Sequence, residues 1–250
     1  MTRHLQTDML LGVKLAPLAP PGRSAGSSTA KTASVKSAPH LSQISAGALA
    51  KRQEALNDLD QQNVKVCNNC NLHQTRTNTV FGQGHPAARL VFVGEAPGAE
   101  EDRQGLAFVG RAGQLLTKMI EAMGLTRDEV FICNILKCRP PNNRDPAPDE
   151  VISCRPYLDK QLEIIKPEVI VALGKPAAQT LLNTKAAISA LRGKWHDYYI
   201  SGSPLAGQAT PLMPTFHPAY LLRNPAGKAR AWADLQQVMQ KLGLPIPKRK

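Results

Sequence analysis

Three runs decide the fold of this 250-residue chain: Leu90-Val-Phe-Val-Gly94, Val130-Phe-Ile-Cys-Asn-Ile-Leu136 and Val169-Ile-Val-Ala-Leu-Gly174. Each is short and continuously apolar, which is typical of strands that are covered on both faces. A fourth run ends at His217. Longer segments with apolar residues at helical spacing lie between the runs, at 112–123, 149–165 and 176–182. The alternation predicts an α/β fold, a three-layer α/β/α sandwich with a central, mainly parallel four-stranded sheet.

Open parallel sheets bind ligands beyond the carboxyl ends of their strands. The loops that carry function should therefore follow Gly94, Asn134, Gly174 and Phe216. The first of these loops is glycine-rich and contains three successive carboxylates at 100–102. In a strongly basic chain we interpret this as a catalytic loop, because carboxylates repel a phosphate backbone unless they perform chemistry. The loop has neither a GxGxxG nor a GKS/GKT motif, so we expect no nucleotide cofactor.

The charge balance favours a polyanionic partner. The chain has 31 Lys plus Arg against 19 Asp plus Glu, a formal net charge of +12. Nucleic acid is the leading partner on this ground, although a solvated basic surface explains the charge equally well. No run approaches the roughly 18 apolar residues that cross a bilayer, and no secretory signal is recognisable. We expect no membrane contact and a cytoplasmic location.

The N-terminal third cannot build much core. Residues 1–80 contain no Phe, Trp or Tyr, and Ala, Pro, Gly, Ser and Thr make up 19 of the 25 residues from Ala16 to His40. Such a segment buries too little apolar surface to offset its ordering entropy. We expect residues 1–60 to be a disordered extension that ends in a helix, residues 61–245 to be the folded domain, and residues 246–250 to be a basic tail.

Five cysteines are present, and four of them have spacing that suits a metal site. Cys67 and Cys70 form a CxxC pair, 67 residues separate Cys70 from Cys138, and 15 separate Cys138 from Cys154. Four thiolates can hold either zinc or an iron–sulfur cluster, and the ligands alone do not separate the two. Cys133 lies inside the second strand and is interpreted as a small apolar core residue.

Several separated motifs, taken in order, resemble those of the family-four uracil-DNA glycosylases, a bacterial and archaeal branch that carries a 4Fe–4S cluster. They are Gly94-Glu-Ala-Pro-Gly98, Phe108-Val-Gly-Arg-Ala-Gly113, Asn134-Ile-Leu-Lys-Cys-Arg-Pro-Pro141 and His217-Pro-Ala-Tyr-Leu-Leu-Arg223. The resemblance covers roughly residues 66–242. It implies a monofunctional DNA repair enzyme that flips uracil out of DNA and hydrolyses its N-glycosidic bond, leaving free uracil and an abasic site for base excision repair. It also implies a 4Fe–4S cluster on the four spaced cysteines.

The resemblance also implies a uracil pocket. Its uracil-binding residues are Glu95, Ala96, Pro97, Glu101, Phe108, Asn134 and His217. Phe108 stacks on the flipped base, and the Asn134 amide donates to uracil O4 and accepts from N3–H, a pattern that cytosine reverses. A neutral His217 donates to O2, where negative charge develops. Glu95, Asn134 and His217 are the implied catalytic residues.

The two glutamates have separate implied places. The residue matching Glu95 lies beside the uracil, and the one matching Glu101 lies near the pyrimidine C5 edge, where it excludes the methyl group of thymine. Ala96 stands where another glycosylase branch has a water-activating Asp, which excludes that mechanism here. Which glutamate positions the water is left open.

The DNA contacts are expected to come from the loop that follows His217 and from separate cations. Leu222 with Leu221 forms an apolar wedge, and phosphate is bound by Arg223, Arg139 and Lys175. Further phosphate candidates are Arg144, Arg155, Arg192 and Lys194. The segment 140–146 lacks the His-containing insertion of a branch that forms a covalent adduct, so we expect turnover and an abasic product. We separately expect a monomer. The alternatives are a non-catalytic iron–sulfur sensor and a zinc-stabilised nucleic-acid module.

Overall fold

A computed structural model describes residues 44–199 and 209–247. Within these residues six strands form one sheet in the order β1-β3-β2-β4-β6-β5. The strands are β1 (Gln83–Gly84), β2 (Leu90–Gly94), β3 (Phe131–Asn134), β4 (Val169–Leu173), β5 (His196–Tyr198) and β6 (Thr210–Thr215). The inner four are mutually parallel, with Gly94 of β2 paired to Asn134 of β3. The edge strands β1 and β5 are antiparallel to their neighbours.

Eight α-helices are present in the same residues. They are α1 (Ala46–Leu59), α2 (Ala99–Gln104), α3 (Arg111–Ala122), α4 (Pro148–Ile165), α5 (Lys175–Leu181), α6 (Ile188–Leu191), α7 (Pro218–Arg223) and α8 (Lys228–Lys241). Buried residues of α3, α7 and α8 pack on one face of the sheet. Those of α1, α4, α5 and α6 pack on the other. The three-layer α/β/α prediction is confirmed.

The inner strands are continuously apolar because both faces of the sheet are covered. In β2, Phe92 belongs to the core that contains α3 and α8, whereas Val91 and Val93 belong to the core that contains α4. Successive side chains of a strand point to opposite faces, so each strand must be apolar at every position. Cys133 of β3 is 1% exposed and packs in the second of these cores, as predicted.

The predicted core of four parallel strands is confirmed, and the structure adds the two edge strands. β1 and β5 contain two and three residues, too few to show a period of their own. The predicted helices at 112–123, 149–165 and 176–182 correspond to α3, α4 and α5 within one residue at each end.

The N-terminal boundary was expected near residue 60. Residues 1–43 of the expected extension and residues 248–250 of the expected tail lie outside the described residues. The helix that was expected to end the extension is α1, whose Leu56 is 3% exposed and whose Arg52 Nη1 donates to the Ile165 carbonyl at 2.8 Å. α1 therefore packs against α4. No helix in the part of the chain that the structure describes is long and apolar enough to cross a membrane.

Candidate active site

A cleft with about 790 Å³ of empty space, part of it open to solvent, lies beyond the carboxyl ends of β2, β3 and β6. All seven residues predicted to bind uracil line it, namely Glu95, Ala96, Pro97, Glu101, Phe108, Asn134 and His217. The cleft is also lined by Gly98, Ala112, Pro140, Asn143, Arg144, Asp145 and Ala219. The strand ends thus bring together motifs that are far apart in the sequence, at the place that the parallel topology predicts.

Gly94 has no side chain, and the space that this leaves is occupied by the Asn134 amide and the Phe108 ring. A Cβ atom at this last position of β2 would lie 2.3 Å from Asn134 Oδ1 and 2.6 Å from Phe108 Cζ. Both distances are far below van der Waals contact. The absence of a side chain at Gly94 therefore allows the amide and the aromatic ring to approach the strand end.

Asn134 carries an unmet hydrogen-bond acceptor. Its side chain is buried at the end of β3, and its Oδ1 has no hydrogen-bond partner within the described residues. The Asn134 carbonyl accepts a hydrogen bond from Lys137 Nζ at 2.8 Å, which fixes the backbone at the end of β3. Because a buried unpaired acceptor costs about 1–3 kcal/mol, a ligand N–H that meets Oδ1 would recover that energy.

Phe108 provides an apolar ring beside an imidazole. Its ring centroid lies 5.7 Å from that of His217, with 36° between the ring planes. The residue is buried and has φ of +52°, which places a bulky side chain in the left-handed region. Residues other than glycine rarely adopt this backbone conformation unless neighbouring groups enforce it.

His217 is held as a neutral hydrogen-bond donor. Its Nδ1 accepts from the Ala219 amide at 3.1 Å, which places the ring proton on Nε2. Burial, with a smaller effect of Arg223, lowers the pKa of His217 to about 4, and Glu101 opposes the shift. Gly174, at φ of +90°, packs closely behind it, since a Cβ there would lie 2.8 Å from His217 Cβ. The imidazole is therefore uncharged at neutral pH.

Glu95 is a carboxyl group that titrates near neutrality. It follows β2 directly, and burial together with the charge of Asp145 raises its pKa to about 7. A group with this pKa exchanges protons readily at physiological pH, which suits a general base or acid. Asp145 lines the same cleft, although the sequence analysis did not select it.

Glu101 reaches the cleft but is already engaged. Its Oε1 accepts from the backbone amides of Val109 and Gly110, both at 2.9 Å. Glu101 was expected to exclude the methyl group of thymine. The structure adds a second role for the side chain, since it binds the turn that carries Phe108.

The other two carboxylates of this helix do not face the cleft. Asp102 is buried and accepts from the Thr77 and Asn78 amides at 2.9 and 3.3 Å. Glu100 pairs on the surface with Arg103 at 2.7 Å. Of the three successive carboxylates that led us to interpret this loop as catalytic, the structure therefore brings only Glu101 to the cleft.

The four spaced cysteines line a second, smaller pocket, with about 340 Å³ of empty space that includes open solvent. Arg76 Nη1 donates to Cys138 Sγ and the Lys137 amide donates to Cys154 Sγ, both at 3.2 Å. Burial raises the pKa of Cys154 to about 12 and also raises that of Cys138. Buried thiols of this kind lose their protons at neutral pH only when a bound cation stabilises the thiolates.

The residues expected to touch DNA are partly corrected. Leu221 is 1% exposed and belongs to the core, so it cannot form a wedge. Leu222 is 38% exposed and Tyr220 40%. Arg223 and Lys175 are exposed, and Arg139 is half-buried with Nε donating to Asn143.

Three further phosphate candidates are engaged within the protein. Their carboxylate partners are Glu150 for Arg144, Asp159 for Arg155 and Asp234 for Arg192. A guanidinium in such a pair is less available to phosphate, although Arg144 still lines the cleft with its side chain 46% exposed. Lys194 is exposed.

The fold and the site define a class of α/β protein with a pocket for a flat ring that both donates and accepts hydrogen bonds. The pocket offers an aromatic face, an amide, a neutral imidazole and a carboxyl group at the ends of parallel strands. The chain belongs to the uracil DNA glycosylase superfamily, whose model matches residues 81–236. This confirms the family that the motifs predicted.

Three relatives are named type-4 uracil-DNA glycosylases. The protein of Thermotoga maritima is 47% identical over 71% of this chain and 89% of its own length. That of Sulfurisphaera tokodaii is 46% identical over 66% of this chain and 75% of its own. That of Archaeoglobus fulgidus is 42% identical over 78% of this chain and 96% of its own.

Proposed function

We propose that the chain is a uracil-DNA glycosylase, which flips uracil out of DNA and hydrolyses its N-glycosidic bond in base excision repair. The observation that carries the proposal is Asn134, whose buried Oδ1 has no hydrogen-bond partner within the described residues and which lines a cleft together with Phe108 and a neutral His217. The names of the relatives support the same activity.

Recognition follows from the hydrogen-bond pattern of the base. Asn134 Oδ1 accepts from uracil N3–H, while Asn134 Nδ2 donates to O4. Cytosine presents an acceptor at N3 and a donor at C4, so it would leave both groups of the amide unpaired in a buried site. Phe108 stacks on the ring, and Gly94 leaves space for both contacts.

Bond cleavage moves electrons from the C1′–N1 bond onto the base. Negative charge then builds on uracil O2, where His217 Nε2–H donates a hydrogen bond. The sugar becomes an oxocarbenium-like cation, which a carboxylate stabilises. Water then adds its oxygen to C1′ and gives up a proton, which leaves free uracil and an abasic site.

We assign to Glu95 the role of positioning the attacking water and accepting its proton. One oxygen of Glu101 is already bound by two backbone amides, whereas Glu95 has a pKa near 7 and suits a proton acceptor. Outside the cleft, Leu222 would fill the gap left by the flipped base, and phosphate would be bound by Arg223, Lys175 and Arg139.

The four-cysteine cavity would hold a 4Fe–4S cluster through Cys67, Cys70, Cys138 and Cys154. Within the described ranges no group of three or more His, Cys, Asp or Glu side chains is arranged around a single ion, yet all four thiols border one cavity. The family resemblance, rather than the arrangement of the thiols, supports the cluster over zinc. When bound, the cluster would supply a structural cross-link between the CxxC segment, the loop after β3 and α4.

The remaining expectations complete the proposal. The enzyme would act as a monomer on uracil-containing DNA, in the cytosol and nucleoid of a bacterial cell. Residues 61–245 would form the glycosylase domain, residues 1–60 an extension and residues 246–250 a basic tail. The charge of +12 supports binding to a phosphate backbone.

The test uses end-labelled DNA that contains one uracil, treated with protein and then with hot alkali, beside matched thymine and cytosine substrates. Scission confined to uracil, and lost in folded Asn134→Ala and His217→Ala, is the expected result. DNA binding without scission or adduct would favour a non-catalytic iron–sulfur sensor and overturn the proposal.

A further inference from the structure

The turn that carries Phe108 has an unusual backbone. Phe108 has φ of +52° although it has a large side chain, and it is 5% exposed. A residue in this conformation returns to a more common one unless neighbouring groups hold it. Any such return would move the ring away from the cleft.

One side of the turn is held by an arginine from a distant loop. Arg127 Nη2 donates to the Ala107 carbonyl at 2.7 Å and Nη1 donates to the Phe108 carbonyl at 3.2 Å. The same guanidinium donates to Thr117 Oγ1 of α3 at 3.1 Å. A planar guanidinium can bind two successive carbonyls and a hydroxyl at once, which a lysine ammonium cannot match in geometry.

The other side of the turn is held by a carboxylate. Glu101 accepts from the next two amides, those of Val109 and Gly110. Gly113 of α3 packs directly against the Phe108 carbonyl, and a Cβ atom at Gly113 would overlap that carbonyl group. The peptide unit between Phe108 and Val109 is thus bound by both charges, its carbonyl by Arg127 and its amide by Glu101.

Arg127 is not among the residues that line the cleft. Any effect of this side chain on uracil must therefore pass through the turn that it binds. We infer that Arg127 is a positioning residue for Phe108, holding the ring where the flipped base stacks. The inference rests on the proposed function, because it concerns the rate at which uracil is excised.

A double-mutant cycle tests this directly. Single-turnover excision rates are measured for the wild type, Arg127→Met, Phe108→Ala and the double variant, each corrected for its folded fraction. A misplaced ring should slow Arg127→Met by about 10- to 100-fold. In the Phe108→Ala background the same change should cost less than about threefold, because the ring through which Arg127 acts is gone.

A conservative variant and a matched control separate positioning from stability. Arg127→Lys keeps the positive charge but loses the planar guanidinium that binds two carbonyls at once. Its excision rate should therefore lie between those of the wild type and Arg127→Met. Arg89→Met removes another partly buried arginine, which binds Glu168 and the Leu242 carbonyl at the opposite end of β2. This control should lower the melting temperature and leave the rate per folded molecule unchanged.

The outcomes are distinct. If Arg127→Met does not fold, Arg127→Lys and its double variant with Phe108→Ala form the cycle instead. A wild-type rate in the folded Arg127 variant, or equal losses in both backgrounds, overturns the inference and makes Arg127 a stability residue only. Failure of the wild type to excise uracil would instead overturn the proposed function.

Discussion

His217 and Glu95 face one cleft with pKa values shifted in opposite directions, and burial is the largest cause of both shifts. Burial disfavours whichever form is charged, so it lowers the pKa of an imidazole and raises that of a carboxyl group. At neutral pH the imidazole is therefore an uncharged donor, while the carboxyl group is close to its midpoint. Excision should accordingly depend on pH through Glu95 and not through His217.

We predict that the single-turnover excision rate rises with pH through about 7, because Glu95 must lose its proton to accept one from water. Asp145→Asn should move the midpoint to lower pH, since it removes the charge that helps to raise the Glu95 pKa. Rates between pH 5 and 9 provide the measurement. An unchanged midpoint in Glu95→Gln would show that another group titrates.

Gly94→Ala should abolish the pocket without unfolding the chain. The added Cβ would meet Asn134 Oδ1 at 2.3 Å and the Phe108 ring at 2.6 Å, so both must shift. We expect at least about a 100-fold loss of excision rate, as for other small displacements of reacting groups. Gly47→Ala in α1 is the control, because a Cβ there has open space and should leave activity intact. Wild-type activity in Gly94→Ala would contradict the described geometry.

At the scale of elements, Asp234 of α8 links that helix to the end of β6 and to Arg192, which directly follows α6. Asp234 of α8 has a side chain 1% exposed, and it binds Arg192 and accepts from Thr215 Oγ1 at 2.6 Å. Thr215 ends β6 two residues before His217. The Thr215–Asp234 hydrogen bond thus anchors the strand end from which His217 extends.

Asp234→Ala should cost about 3 kcal/mol in the free energy of unfolding, because it leaves the partly buried Arg192 guanidinium without its carboxylate and Thr215 Oγ1 without its acceptor. Urea unfolding measures the loss. Glu163→Ala is the matched control, since its pair with Lys160 has both side chains more than half exposed and should contribute less than about 1 kcal/mol. Equal losses in the two variants would refute the argument from burial.

The elements and the site differ in how far the sequence predicts them. The inner strands and α3, α4 and α5 were predictable because burial on two faces, or on one face of a helix, leaves a clear apolar pattern. The edge strands were not, since two or three residues show no period. The cleft residues were found through motifs, whereas Arg127 and Asp145 were missed because only tertiary packing brings their loops to the site.

At the scale of the whole molecule, four cysteines from distant parts of the chain line one pocket, where the proposed cluster would cross-link them. Cys138→Ala should remove the visible iron–sulfur absorbance, lower the melting temperature and weaken DNA binding, while the excision rate of residual folded protein falls less. Cys133→Ala is the control, because Cys133 packs in the core outside the four-cysteine cavity. It should retain four irons per chain and lose about 1 kcal/mol of stability. Loss of iron from Cys133→Ala and not from Cys138→Ala would contradict the ligand assignment.

The most direct test of the whole account counts the free uracil released per protein molecule from DNA that contains single uracils, together with the abasic sites formed. We predict one abasic site for each uracil released, many uracils per protein molecule, no covalent protein–DNA adduct, and no release of thymine or cytosine. No release of uracil, or release that stops at one per protein with an adduct, would contradict hydrolysis with turnover in this pocket.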